Sequence, residues 1–208
     1  MLWEIDIYPA EVQHDLDADR LAEEAADLHL ATDLQVRTAR GYLVQGSLAQ
    51  ADVERLAAQL LADGVVERTA VAPVGSAALS SAPATGLQRL VHVLPKPGVM
   101  DPVALSARRA IRDLGLAADE VRTFRKYWFP PLEAEALERL ATRLLANDAI
   151  EQCVFGPLQL ESLSLEGTYE FQRQTFKLAG MSDDELLRIS REGQLSLSLA
   201  EMHTIQAY

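Results

Sequence analysis

An internal repeat spans the first three quarters of the chain and limits the folds available to it. A leucine-rich block with a following glutamate and proline occurs twice with unchanged spacing. The two versions are Glu54-Arg55-Leu56-Ala57, Leu60-Leu61-Ala62, Glu67 and Pro73, and Glu138-Arg139-Leu140-Ala141, Leu144-Leu145-Ala146, Glu151 and Pro157. An upstream block also matches, with one residue inserted in the first copy: Leu30-Ala31, Asp33, Val36-Arg37-Thr38, Arg40 and Tyr42 against Leu116-Ala117, Asp119, Val121-Arg122-Thr123, Arg125 and Tyr127. The sequence therefore predicts one module present twice.

Each copy has the pattern strand, helix, strand, helix, strand. Residues 3–8 alternate apolar and acidic side chains, which is typical of a strand with one buried face. The second helix of the first copy has an apolar stripe of Val53, Leu56, Ala57, Leu60 and Leu61, and we expect Leu60 and the equivalent Leu144 to be buried between helix and sheet. The pattern predicts an α+β fold in which each module places two helices on one face of a small, mainly antiparallel sheet. The other face needs a cover, and we expect the two modules to cover one another about a pseudo-twofold axis.

Composition shifts divide the chain further. Residues 75–88 are small, polar and rich in helix-breaking residues, which predicts a flexible tether. After Pro157 no helical or strand period is evident, and we expect an extended linker up to residue 180. The predicted parts are a first module (1–74), the tether (75–88), a second module (89–157) and a linker region (158–208).

Two capping boxes close the sequence. Residues 182–185 and residues 198–201 each place a serine three positions before a glutamate, which predicts two short helices. The second helix is still running at Tyr208, so we expect the natural polypeptide to continue beyond it.

Charge and cysteine content restrict the partners. The chain has 31 acidic and 19 basic residues and a formal net charge of −12, which disfavours nucleic acid and anionic membranes. No apolar run approaches the roughly 20 residues of a membrane-spanning helix. Cys153 is the only cysteine and no leader opens the sequence, so we expect a cytoplasmic protein.

The residue types that usually carry chemistry do not form a catalytic or metal-binding pattern. Cys153 lies in a predicted strand without a neighbouring histidine, so we interpret it as an inert buried thiol. The four histidines have no metal-ligand spacing, and the acidic run from Glu11 to Asp19 lacks the glycine and late glutamate of a calcium loop. We therefore predict no catalytic residue, no metal and no cofactor in this chain.

One stretch of the second module could be an interaction surface. Basic side chains on the predicted strands could hold a phosphate or form cross-strand ion pairs with the chain's own carboxylates, and we favour the ion pairs. The aromatic pair before Pro130 could form a docking ledge, although core packing is favoured. The possible interaction surface comprises Arg122, Arg125, Lys126, Trp128 and Phe129.

Several motifs of the second module occur with the spacing of a known family. They are Val91-His92-Val93, Pro97-Gly98-Val99-Met100-Asp101-Pro102, Val121-Arg122, Lys126-Tyr127, Leu144-Leu145-Ala146-Asn147 and Ile150-Glu151. This module resembles the PurS subunit of bacterial phosphoribosylformylglycinamidine synthase. The first module departs from the pattern, because it has Tyr8-Pro9-Ala10-Glu11 in place of the Pro-Gly-Val-Met-Asp-Pro turn.

The resemblance implies a non-catalytic role. PurS forms dimers and bridges an ATP-using synthetase subunit and a glutaminase subunit, and large single-chain versions of the enzyme begin with a PurS-dimer-like domain and an extended linker. Residues 195–208 resemble the segment that introduces the synthetase domain. The expected partners are therefore the synthetase and glutaminase parts, with self-association through sheets as a further possibility. ATP and magnesium are implied only for the complete enzyme.

A second interpretation stays open at this point. Ligand-sensing modules of the ACT type share the helices-on-a-sheet architecture and often place a Pro-Gly turn, such as Pro97-Gly98, before the first helix to bind an amino acid. Only one of the two copies carries that turn.

Overall fold

The fold is α+β, with one antiparallel sheet of six strands. The structure is a computed structural model that describes residues 1–163, 175–193 and 195–207. It divides into two units, Met1–Glu166 and Gly167–Tyr208. The strands are β1 Leu2–Pro9, β2 Arg37–Gly46, β3 Glu67–Pro73, β4 Arg89–Pro95, β5 Ala118–Phe129 and β6 Glu151–Phe155. The helices of the first unit are α1 Leu16–Asp27, α2 Gln50–Leu56, α3 Ala77–Ser80, α4 Pro102–Asp113 and α5 Ala134–Leu140.

The two halves of the first unit join edge to edge. The strand order is β3-β1-β2-β5-β4-β6, so β2 and β5 pair at the centre of the sheet. Arg40 lies opposite Arg125 in that pairing, and these residues occupy matching positions in the two sequence copies. The strands of each half therefore follow the same order when counted from the centre to either edge.

The first helix of each half packs on the other half. Ala18, Leu21 and Ala25 of α1 share a core with β4, β5 and α5, while Ala104 and Ile111 of α4 share one with β1, β2 and α2. Small residues on the buried stripes allow these helices to lie close to the sheet. The exchange of α1 and α4 means that neither half has a complete core of its own.

The second helix of each half widens before it ends. Residues 57–61 after α2 and residues 141–145 after α5 form π turns, in which the amides of Ala62 and Ala146 donate to carbonyls five residues earlier. A wider turn rotates the side chains that follow it. The buried leucines are consequently Leu61 and Leu145, at 7% and 1% exposure, while Leu60 and Leu144, which were expected to be buried, are only partly buried.

The face of the sheet away from the helices is covered by chain connections. Leu79 of α3 and Leu87 lie buried against one end of this face, and Leu158 and Leu163 against the other. The expectation that the modules cover one another was therefore wrong, because the halves extend a single sheet instead of stacking two. The segment predicted as a tether contains a helix and packs on the sheet.

The second unit contains two short helices, as the capping boxes predicted. They are α6 Asp183–Glu192 and α7 Leu199–Ala207. At the start of α6 the backbone amide and the hydroxyl of Ser182 donate to Glu185 Oε2, at 2.8 and 2.9 Å, and the backbone amide of Ser198 donates to Glu201 at 2.8 Å. Leu186 and Met202 form a small core between the helices. Residues 164–174 of the predicted linker and Tyr208 lie outside the described residues.

Candidate functional site

Four charged or titratable side chains are buried together on the sheet face away from the helices. Glu4 and Asp6 belong to β1, His92 to β4 and Lys126 to β5, and none is more than 2% exposed. The Lys126 ammonium donates to Glu4 Oε1 and Asp6 Oδ2, both at 2.7 Å, and to the Leu79 carbonyl at 2.8 Å. We call these four residues the buried charge cluster.

The position of the cluster follows from strand periodicity and from the covering segments. The acidic residues of β1 alternate with Trp3, Ile5 and Ile7, which face the helices, so the acids point to the other face. The alternation alone is typical of a strand with one buried face, whereas the structure also buries the acidic face, under the segments that contain Leu79 and Gly156. Because a buried charge without a partner is costly, the acids need the Lys126 ammonium that β5 brings to them.

Burial and the neighbouring charges shift the pKa values of Glu4 and Asp6 in opposite directions. Burial would raise the pKa of Glu4, but the adjacent His92, whose Nε2 lies 3.6 Å from Glu4 Oε1, and the charge of Lys126 outweigh it, so this pKa is lower than usual. Burial raises the pKa of Asp6 to about 6, against the attraction of Lys126. Burial and the neighbouring Asp6 likewise raise the pKa of Tyr8, whose hydroxyl donates to Asp6 at 2.7 Å.

The raised pKa of Asp6 predicts a pH dependence of stability. Between about pH 4 and 6 the folded chain keeps a proton on Asp6 that the unfolded chain releases, so the contribution of this group to stability falls as pH rises through that window. The lowered pKa of Glu4 acts in the opposite direction, and its contribution is lost below about pH 4.5. From pH 5 to 7 we expect Asp6 alone to lower the free energy of unfolding by about 1 kcal/mol.

Urea unfolding at a series of pH values tests this prediction. The Asp6→Asn variant cannot ionise, so its stability profile should lack the decline that the unmodified chain shows between pH 5 and 7. Parallel profiles of the two proteins over that interval would contradict the assignment. The comparison with the variant removes the contributions of titrating groups that do not interact with Asp6, when both proteins unfold in one transition.

The buried charge cluster is structural in character. Side chains at most 2% exposed cannot meet a substrate, and the cluster instead joins the two halves of the unit. Glu4 and Asp6 come from the first half, Lys126 from the second, and Leu79 from the segment between them. His92 adds a hydrogen bond from Nδ1 to the Gly156 carbonyl at 3.0 Å. The cluster therefore fixes both halves and both covering segments in one arrangement.

The helix-covered face has a different feature at its centre, the opposed arginines of β2 and β5. Like charges directly opposite each other destabilise a sheet unless they are neutralised. Arg40 forms an ion pair with Glu67 at 2.8 Å and donates to the Leu61 carbonyl, which ends the first π turn. Arg125 pairs with Glu151 at 2.6 Å and donates to the Leu145 carbonyl in the same way. Each arginine thus holds the end of a helix.

Cavities of about 570 and 360 Å³ flank the opposed arginines. Both are lined by Arg40, Arg125 and Asp17, with Glu67 in the larger cavity and Glu151 in the smaller one. The acidic lining residues balance the guanidinium groups, and each arginine is already paired with a glutamate. These cavities are therefore poorly suited to a phosphate, and the ion-pair interpretation of the strand arginines is the one that the contacts favour.

The predicted interaction surface is largely inside the molecule. Lys126, Trp128 and Phe129 are at most 1% exposed, because both faces of β5 are covered. Trp128 stacks on Tyr8 with a centroid separation of 5.7 Å. Only Arg122 and Arg125 keep accessible area, so the other three residues cannot be part of a docking surface on the intact unit.

The remaining candidates behave as inert groups. Burial raises the pKa of the half-buried Cys153 thiol, which disfavours a reactive thiolate. In residues 1–163, 175–193 and 195–207 no group of three or more histidine, cysteine or acidic side chains is arranged to hold a metal ion. Within the same ranges no helix is both long enough and apolar enough to cross a membrane.

Comparison with known families identifies part of this arrangement. Residues 88–157 match the family model of PurS, described as phosphoribosylformylglycinamidine (FGAM) synthase. This part of the chain is a PurS-like domain. It contains β4, α4, β5, α5 and β6, and it relates the chain to the FGAM synthase of purine biosynthesis. The chain matches no curated protein at a significant level.

The PurS-like domain is completed by residues outside the matched range. Its sheet carries α1 from the first half on the helix-covered face, and on the other face Lys126 needs Glu4, Asp6 and the Leu79 carbonyl. Sequence reasoning identified the domain but missed these dependencies. The acidic positions of β1 were the available signal, since acids on a strand flanked by buried residues require cationic partners once their face is covered.

Proposed function

We propose that this chain is a non-catalytic scaffold of FGAM synthase, made of two PurS-like modules that organise the synthetase and glutaminase parts of the enzyme. The observation that carries the proposal is that the matched domain is preceded by a half with the same elements in the same order. A tandem pair of this kind provides within one chain what two separate PurS subunits would provide as a dimer.

Matching hydrogen bonds support the proposed duplication. Asp15 caps α1 and also accepts the backbone amide and hydroxyl of Thr38 on β2, at 2.8 and 2.6 Å. Asp101 caps α4 and accepts the same two groups of Thr123 on β5, both at 2.8 Å. The same hydrogen bonds recur at equivalent positions of the two halves, and so do the two arginine-capped π turns. This is the pattern expected of a repeated module.

The buried charge cluster supports a role as a rigid platform. A scaffold contributes by holding other domains at a fixed separation and orientation, so its own parts must not move relative to one another. A continuous sheet across β2 and β5 and an ion network shared between the halves provide this rigidity. The absence of an activated nucleophile or a phosphate loop in the sequence agrees with a function through geometry.

A reconstitution assay tests the proposal. The full chain is mixed with magnesium, ATP, formylglycinamide ribonucleotide and glutamine, first alone and then with the synthetase and glutaminase polypeptides of the same source. We expect no product with the chain alone and a clear increase in product when it is added to the two polypeptides. Turnover by the isolated chain, or a mixture indifferent to its addition, would contradict the scaffold function.

A further inference from the structure

The first helices of the two halves, α1 and α4, occupy matching places in the fold but differ at three exposed positions. On α1 the side chains there are Asp17, Asp19 and Glu23, beside Leu16, which is 75% exposed. The residues at the matching positions of α4 are Val103, Leu105 and Arg109. Met100 and Leu105 are 76% and 55% exposed. We define the α4 face as Met100, Leu105, Arg108, Arg109 and Arg112, of which the last four share one side of the helix by their spacing.

Helix electrostatics account for only part of this difference. Acidic residues in the first turn of α1 and Arg112 in the last turn of α4 both favour the helix dipole. The dipole gives no reason for exposed Val103 and Leu105 in the first turns of α4, where acids would be more favourable. It gives no reason either for an arginine at position 109 where α1 has a glutamate.

The arginines of the α4 face have few partners within the chain. Arg109 and Arg112 form no ion pair with any residue that the structure describes in the range 1–163. Arg108 contacts Glu120 at 3.5 Å, and its Nε is buried without a hydrogen-bond acceptor. In contrast, Arg20 of α1 pairs with Glu24 at 3.0 Å. Unpaired guanidinium groups are free to bind carboxylates in the bidentate geometry that they prefer.

The apolar residues of the α4 face border a shallow cavity. It has a volume of about 300 Å³ and is lined by Met100, Ala104, Leu105 and Arg108, among others. Exposed methionine adapts to different surfaces, and arginine with apolar residues is the composition typical of the centre of protein interfaces. Its volume, at the lower limit of ligand sites, is enough to receive one or two apolar side chains of a protein.

We propose that the α4 face binds an acidic surface of a partner protein, one that places carboxylates on Arg108, Arg109 and Arg112 and an apolar side chain in the cavity beside Met100. The inference rests on the scaffold function proposed above. It adds that one partner docks on the α4 face of the scaffold. Because the matching face of α1 is acidic, it repels the same surface. A scaffold with two similar halves thereby accepts this partner in one orientation only.

Charge complementarity favours a different protein over nucleic acid or a second copy. The chain carries a net charge of −12, so nucleic acid would be repelled over most of the surface. Two copies repel each other for the same reason. The acidic α1 face of one copy would fit the α4 face of another, but such a head-to-tail contact does not close and would produce chains of molecules.

Binding measurements with a charge-reversed chain test the proposal. The probes are the synthetase and glutaminase polypeptides of FGAM synthase from the same source, titrated separately with the full chain at low and at physiological salt. The test variant is Arg109→Glu with Arg112→Glu. The control is Arg139→Glu with Arg143→Glu, which makes the same charge change on exposed positions of the second half's other helix.

We expect the test variant to lose about tenfold or more in affinity for one probe and the control to lose clearly less. Equal losses in the two variants, or none in the test variant, would overturn the docking site and leave the scaffold function intact. Failure of the unmodified chain to bind either probe would overturn both proposals. Self-association that only the test variant abolishes would assign the face to a second copy and overturn the partner inferred here.

Discussion

Replacing Lys126 with methionine should lower the free energy of unfolding of the first unit by about 3 to 5 kcal/mol. The change leaves Glu4 and Asp6 buried without their cation and the Leu79 carbonyl without its donor. It also removes the contact of the ammonium with the Trp128 ring, at 5.2 Å. Such a loss is a large fraction of the stability of a domain of this size.

Chemical denaturation of the full chain measures this effect, with Arg139→Met as the control. Arg139 is exposed and lies in the same unit, so its replacement should change stability by less than about 0.5 kcal/mol. Adding Glu4→Gln and Asp6→Asn to Lys126→Met removes the uncompensated charges and should restore part of the loss. A Lys126→Met variant as stable as the control would show that the cluster does not hold the halves together.

The second large effect concerns the buried leucines of the π turns. Leu145→Ala should cost about 2 to 5 kcal/mol, and Leu61→Ala a similar amount, because each leaves a cavity between helix and sheet. Leu144→Ala and Leu60→Ala are matched controls one residue earlier, where partial burial predicts a smaller loss. Larger losses at residues 60 and 144 would mean that these helices keep ordinary α-helical phase to their ends.

The helix phase illustrates what the sequence could and could not predict. Regular apolar spacing identified all the main helices and strands and the α+β class, because these depend on local periodicity. The same regular spacing favoured Leu60 and Leu144 as the buried residues, whereas a π turn moves burial to Leu61 and Leu145. The turn depends on tertiary contacts, including the capping of the Leu61 and Leu145 carbonyls by arginines of other strands.

Local sequence patterns could not predict which helices and strands pack against each other. The stripe of α1 shows that Leu21 is buried but not that it packs against the second half of the unit. Alternation in β1 likewise placed Glu4 and Asp6 on one face without indicating that residues 75–88 and 156–163 would cover that face. Because the face is covered, Lys126 is a buried counter-ion of these two acids. This confirms the favoured ion-pair interpretation of Lys126 and contradicts its place in the possible interaction surface.

The scaffold function predicts different effects of the chain on the glutamine-dependent and the ammonia-dependent activity. Measuring both is the most direct test of the proposed role. The synthetase and glutaminase polypeptides are assayed for FGAM formation with glutamine and, separately, with ammonium chloride as the nitrogen source, with and without the full chain. A scaffold that brings the two active sites together should raise the glutamine-dependent rate and leave the ammonia-dependent rate unchanged. An equal rise in both rates, or no rise in either, would contradict the proposed role.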